Sequence, residues 1–145
     1  MEHHGIHILA ELSECENLVE YDNSKKLAAL LRKAAIAAKC QVIKINVHKF
    51  EPHGISGLVF LAESHLSIHT WPEDKYVAVD FYACGEAEPR LGIDVLIDAL
   101  RAKDYFIETK ARGIMNYDFG GQTSQLGIFA NETLSTVSTN KVIIK

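Results

Sequence analysis

The chain predicts an α/β fold: a two-layer sandwich with a largely antiparallel sheet, two helices on one face and the other face forming a dimer seam. Three observations carry this. Several short runs alternate apolar and polar residues with a period of two. Two longer runs repeat apolar residues at helical spacing. One face of the predicted strands is aliphatic, while the other is crowded with histidine, aromatic and polar side chains. The aliphatic face needs a covering layer, which two helices supply. The opposite face does not read as an ordinary solvent face, so it is expected to meet the same face of a second copy, with reactive groups at the seam.

The elements follow in order. In Gly5 to Leu12, Ile6, Ile8, Ala10 and Leu12 alternate with His7, Leu9 and Glu11, the pattern of a two-faced strand. Asn23 or Ser24 caps a helix whose stripe is Leu27, Leu30, Leu31, Ala34 and Ala38. Gln41 to Phe50 returns to period two, with Ile43, Ile45 and Val47 on one side and Lys44, Asn46, His48 and Phe50 on the other. Pro52-His53-Gly54 turns the chain. Ser56 to Ala62 is apolar on both faces, as in a central strand. Ser64 to Thr70 and Tyr76 to Cys84 are the next strands, with a break at Trp71 to Asp74. Pro89 suits the first position of a second helix carrying Ile93, Leu96, Ile97 and Leu100. Tyr105 to Arg112 is the last strand. Residues 1–112 read as one domain. From 113 to 145 the periodicity fades and Gly, Ser, Thr and Asn accumulate, which predicts a loosely held C-terminal tail with a terminal β segment.

Composition narrows the function. A chain of 145 residues, 48% hydrophobic with 9 Gly and 3 Pro, can build one core. No apolar run approaches the ~20 residues of a membrane span, and MEHHGIHILAE lacks a charged-then-apolar leader, so a cytoplasmic protein without a membrane partner is expected. A net charge of −4 and a pI near 5.9 leave no footprint for nucleic acid and suit a cationic small ligand. Cys15, Cys40 and Cys84 are odd in number and widely spaced, suggesting neither disulfides nor a zinc finger.

Reactive side chains concentrate between Ile55 and Gly85: Ser56, Ser64, His65, His69, Trp71, Glu73 and Cys84. His65 and His69 share a face, with His48 and His53 as further metal candidates, but the spacing of a zinc site is missing and no metal is expected. Ser64 with His69 looks like half of a hydrolase triad without a G-x-S-x-G elbow. Cys84, ending a strand, reads either as core or as a working thiol. Spacing alone therefore leaves an α/β domain with a seam bearing His, Ser and Cys.

The run Ala62-Glu63-Ser64-His65-Leu66-Ser67-Ile68-His69-Thr70-Trp71-Pro72-Glu73 goes further. With Phe50 to Gly57 before it and Val79 to Gly85 after it, this stretch resembles the prokaryotic S-adenosylmethionine decarboxylase proenzymes, over about residues 5 to 112. The resemblance implies an inactive precursor that cuts itself between Glu63 and Ser64 into chains of residues 1–63 and 64–145. Ser64 Oγ attacks the preceding carbonyl to give an ester, and β-elimination and hydrolysis then leave a pyruvoyl group in place of the serine. His69 matches the processing histidine and Ser56 its helper, both suited to proton and oxyanion work.

The pyruvoyl cofactor, generated from the chain without pyridoxal phosphate, would form a Schiff base with S-adenosylmethionine and accept the electrons released with carbon dioxide. Cys84 matches the proton donor, Phe50 an aromatic residue that stacks on adenine, and Glu73 the carboxylate that holds the ribose. Trp71, Glu11 and His7 are candidates for lining only. The product would be decarboxylated S-adenosylmethionine, an aminopropyl donor for spermidine synthesis.

Ser64 and His69 are five residues apart and would face opposite sides of one regular strand. Either the chain is irregular at Ser64 or the two act across a subunit boundary. The resemblance implies the second, a homodimer in which one copy contributes Ser64 and Cys84 and the other Phe50, Ser56, His69 and Glu73. A pyruvoyl-dependent arginine decarboxylase and a non-catalytic dimeric binding module are the alternatives. Phe50 and the Trp71-Pro72-Glu73 triplet favour the nucleoside substrate.

Overall fold

A computed structural model describes residues 4–113. The tail, with its expected β segment, lies outside them. The strands are β1 (Gly5–Ser13), β2 (Val42–Lys49), β3 (Ile55–Leu61), β4 (Ser64–Trp71), β5 (Tyr76–Cys84) and β6 (Asp104–Arg112). The helices are α1 (Ser24–Ala37) and α2 (Pro89–Leu100), with short 3-10 helices at Leu18–Tyr21 and Pro72–Asp74. All six strands form one sheet in the order β2-β3-β4-β5-β1-β6, and every neighbouring pair is antiparallel.

Helix α1 starts where its cap predicts. The Asn23 side chain accepts hydrogen bonds from the backbone N–H groups of Lys25 and Lys26 at 3.0 and 3.1 Å, satisfying two of the donors a helix start leaves free. Its buried stripe is Leu27, Leu30, Leu31, Ala34 and Ala35. Pro89 opens α2, which buries Ile93, Leu96 and Leu100. The two helices meet at Gly92, where a Cβ would stand 2.6 Å from Phe81 Cε1 and 2.8 Å from the Ala34 carbonyl oxygen. Only a glycine lets α2 lie this close to both α1 and the sheet.

The helices cover the aliphatic sheet face. Ile8, Ala10 and Leu12 of β1, Ile55 and Val59 of β3, Leu66 and Ile68 of β4, and Val77, Val79 and Phe81 of β5 are buried beneath them. Thr70, the one buried polar side chain among the described residues, is satisfied locally: its Oγ1 accepts from Ile55 N–H at 2.8 Å and donates to the Ile55 carbonyl at 3.3 Å. Burial without a lost hydrogen bond is therefore kept across this face.

Two expectations about strand faces need correction. Ile43 does not share the core side of β2 with Ile45 and Val47. The β2–β3 register shifts between Val42 and Lys44, so a bulge absorbs Ile43, which is 66% exposed, and Val42 packs on the core instead. Strand β3 is not enclosed on both faces within the protomer either. Phe60 is 45% exposed on the sheet face opposite the helices, because the helices cover one side only.

Candidate functional site

The hairpin joining β3 to β4 is a two-residue turn, Ala62-Glu63, closed by the Leu61–Ser64 pair. Tertiary contacts hold it on several sides. Ala62 N–H donates to the Gln41 carbonyl at 2.9 Å, and Gln41 N–H donates to the Glu63 carboxylate at 3.0 Å. The Glu63 carbonyl oxygen accepts from Cys84 N–H at 3.1 Å and from the Cys84 thiol at 3.0 Å. Two donors on one carbonyl oxygen polarise its carbon toward attack and stand ready for the negative charge that attack creates.

Ser64, the next residue, has φ of 149°, a conformation L-residues avoid and that surrounding structure must enforce. The chain is thus irregular at Ser64, but this does not bring the serine to His69 at the far end of β4. By alternation Ser64 would share the buried side of Leu66, two residues on, yet its Oγ lies 3.3 Å from Nδ1 of His65.

His69 lies at the other end of β4. It stands directly opposite Ser56, and Ser56 Oγ is 2.7 Å from His69 Nδ1. Trp71 follows on the same face, its ring 6.4 Å from that of His69 and 5.2 Å from Tyr76. Phe50, just past β2, is 48% exposed and takes the His48 ring edge-on at 4.7 Å. Glu73 sits in the Pro72–Asp74 helix with His53 Nε2 3.8 Å from its carboxylate. Five residues of strand separate Ser64 from His69, about 16 Å at 3.3 Å per residue. One protomer therefore presents two clusters: Glu63, Ser64, His65 and Cys84 at one end of β4, and Ser56, His69 and Trp71, with Phe50 and Glu73 nearby in the chain, at the other.

The three cysteines differ sharply. Cys15 and Cys40 are buried. Burial pushes both thiols up to about 11, with the nearby Glu63 charge adding to the effect at Cys40. Cys84 is exposed and, with Glu63, lines a shallow cavity of about 400 Å³ that also includes Lys39, Gly85 and Glu86. Glu11, a candidate for lining, accepts a hydrogen bond from the Tyr76 hydroxyl. Burial, reinforced by that bond, holds Tyr76 up to about 12. Among the described residues no three His, Cys, Asp or Glu side chains group closely enough to hold a metal ion.

Sequence reasoning counted His65 among the reactive side chains, as a metal candidate, without giving it a catalytic role, left His7 as lining and gave Asp80 no role beyond its strand face. The structure links them: His7 Nε2 is hydrogen-bonded to Asp80 Oδ1, and His65 Nε2 is 3.8 Å from the same oxygen. Parity placed all three on one face. Only the strand order β5-β1 brings His7 beside Asp80.

Six antiparallel strands under two helices, with His, Ser and aromatic side chains on the open face, define a two-layer α/β sandwich. The profile of the S-adenosylmethionine decarboxylase family matches residues 6–113. The chain is 39% identical over 109 residues to the S-adenosylmethionine decarboxylase proenzyme of Prochlorococcus marinus, covering 74% of this chain and 88% of that one. It is 41% identical over 116 residues to the proenzyme of Thermodesulfovibrio yellowstonii, covering 78% and 84%. The crystal structure of the adenosylmethionine decarboxylase from Aquifex aeolicus superposes with a TM-score of 0.74 at 34% identity, covering 81% of this chain and 98% of that one. The chain belongs to the S-adenosylmethionine decarboxylase family.

Proposed function

We propose that this chain is a self-processing, pyruvoyl-dependent decarboxylase that converts S-adenosylmethionine to decarboxylated S-adenosylmethionine, the aminopropyl donor for spermidine. The observation that carries the reading is the Glu63-Ser64 junction: a serine in a strained backbone conformation, following a carbonyl that accepts two hydrogen bonds from Cys84. Backbone strain at the serine and polarisation of the Glu63 carbonyl both favour an acyl shift onto the serine hydroxyl.

In that shift the Ser64 Oγ–Glu63 carbon bond forms and the Glu63 carbon–Ser64 nitrogen bond breaks. Removal of the serine α-proton then breaks the Cβ–Oγ bond and expels the main-chain carboxylate of Glu63, and hydrolysis of the resulting dehydroalanine releases ammonia. His69 takes the α-proton, and Ser56, bonded to it, fixes the orientation of its ring. The pyruvoyl group left at position 64 supplies a ketone for the substrate amine and a sink for the electrons released with carbon dioxide. The Cys84 thiol, exposed beside the junction, returns a proton to the substrate α-carbon. Phe50 stacks on the adenine, and Glu73 accepts hydrogen bonds from the ribose hydroxyls.

The two clusters fit a homodimer in which the open sheet faces meet. What supports this is their composition: Ser64 and Cys84 at one end, and Phe50, Ser56, His69 and Glu73 grouped toward the other, each lacking what the other offers. Leu9, Phe60, Trp71 and Phe106, all 38% exposed or more, offer apolar area for such a seam. Residues 1–112 form the working domain in this reading.

Intact mass measurement of the purified protein tests the processing. Two fragments, of residues 1–63 and of 64–145 with a blocked pyruvoyl terminus, are expected. A single uncut chain that releases no carbon dioxide from S-adenosylmethionine would instead favour a binding module.

A further inference from the structure

Asp80 lies at the centre of a chain of polar contacts that the steps above leave unused. Arg112 Nη1 lies 3.4 Å from His7 Nδ1, and its guanidinium lies 4.8 Å over the Tyr82 ring. An arginine can only donate, so His7 Nδ1 is the acceptor and the neutral ring carries its proton on Nε2. That Nε2–H donates to Asp80 Oδ1. The carboxylate keeps further lone pairs for His65 Nε2, 3.8 Å away, close enough for attraction though longer than a hydrogen bond. A proton on His65 Nε2 leaves the Nδ1 lone pair free, and Nδ1 is the atom 3.3 Å from Ser64 Oγ.

We propose that His65 is the general base of the acyl shift at Glu63-Ser64, and that Asp80, held by His7 and Arg112, is its positioning residue. The proposal rests on the self-processing reading. As Ser64 Oγ bonds to the Glu63 carbon, its proton passes to His65 Nδ1. As the Glu63 carbon–Ser64 nitrogen bond breaks, His65 gives the proton to the departing nitrogen. No atom is gained or lost, and Asp80 stabilises the imidazolium between the two transfers. His69 belongs to the following step. Within the protomer it sits five residues along the strand, with Nδ1 engaged by Ser56, whereas His65 touches the attacking oxygen.

The test separates the two steps. Hydroxylamine cuts esters and spares amides, so a chain stalled after the shift is split by it at residue 63, leaving a Glu63 hydroxamate. In full-length His69→Ala protein, ester should accumulate. Adding His65→Ala or His65→Gln should lower the rate of ester formation by about 10²-fold, the scale of one general base, and free imidazole should restore part of the His65→Ala loss.

Asp80→Asn, in the same His69→Ala background, should slow ester formation about tenfold, less than loss of the base itself. The charged or titratable groups facing His65 are Asp80, Tyr82, His7 and, through His7, Arg112. Loss of the carboxylate leaves the arginine cation unopposed and disfavours the imidazolium. Asp80→Glu should recover most of the rate. Ester formation at the parent rate in the folded His65 variants, or an Asp80→Asn loss that Asp80→Glu does not recover, would overturn the proposal. If the wild type stays whole, or Ser64→Ala is itself cut, self-processing fails first, and the two failures are told apart.

Discussion

The two ends of β4 are built on different principles. At the His69 end the ladder is regular: Ser56 faces His69 across a pair of strands, and ordinary alternation brings the hydroxyl to the ring. At the Ser64 end the geometry is imposed from outside the strand, by Gln41 on the turn, Cys84 on the Glu63 carbonyl and a positive φ at Ser64. Ordinary strand alternation is enough to bring two side chains together on one sheet face. A residue held outside the usual backbone conformations needs contacts from elements far away in the chain to keep it there.

The largest effect expected at the strained end is total. Ser64→Ala should stay a single 145-residue chain without activity, as judged by intact mass, because the shift needs a hydroxyl. A cleaved Ser64→Ala protein would erase the contrast between the two ends.

Cys84→Ala comes next. The backbone N–H on the Glu63 carbonyl survives the substitution and the thiol donor does not. Processing should therefore slow but finish, while turnover of the processed enzyme drops by about 10²-fold, as for one lost general acid. Undiminished turnover would assign the proton to another group.

Mixing unprocessed Ser64→Ala and His69→Ala chains sharpens the comparison across the seam. If the two ends work together only between copies, mixed dimers hold one intact site, and about a quarter of parental activity should return for random pairing. A monomer in solution scattering, or no recovery from demonstrably mixed dimers, would refute the shared site.

The smallest effects belong to the substrate end. Phe50→Ala and Glu73→Gln should each raise the KM for S-adenosylmethionine about tenfold, the scale of one lost stacking or charge-assisted contact, and leave processing unchanged. Arginine and ornithine should release little carbon dioxide in parallel labelled-carboxyl assays. Dominant release from arginine would move the substrate assignment and leave the self-processing chemistry in place.

Much of this was legible in the order of residues. The period of two in Ile8, Ala10 and Leu12, and the stripe of Leu27, Leu30, Leu31 and Ala34, are local signals. A side chain's direction follows from its own backbone repeat, and each of these proved buried on the expected face. The run from Glu63 to Glu73, with Cys84 downstream, was enough to mark the family. The two clusters were also readable as a difficulty, because parity forbids Ser64 and His69 from meeting on one regular strand.

Other features were set only when distant strands chose their neighbours. Nothing local announces that β1 lies between β5 and β6, yet that order puts His7 against Asp80 and Arg112 against His7. The bulge that expels Ile43 depends on the register with β3, and the two hydrogen bonds on the Glu63 carbonyl depend on β5 ending beside the β3–β4 turn. Sequence alone determined the faces, the helices and the reactive residue types, because those follow from short-range periodicity and side-chain chemistry. The tertiary structure decided which reactive groups touch, because lateral pairing is a competition among strand edges across the whole chain.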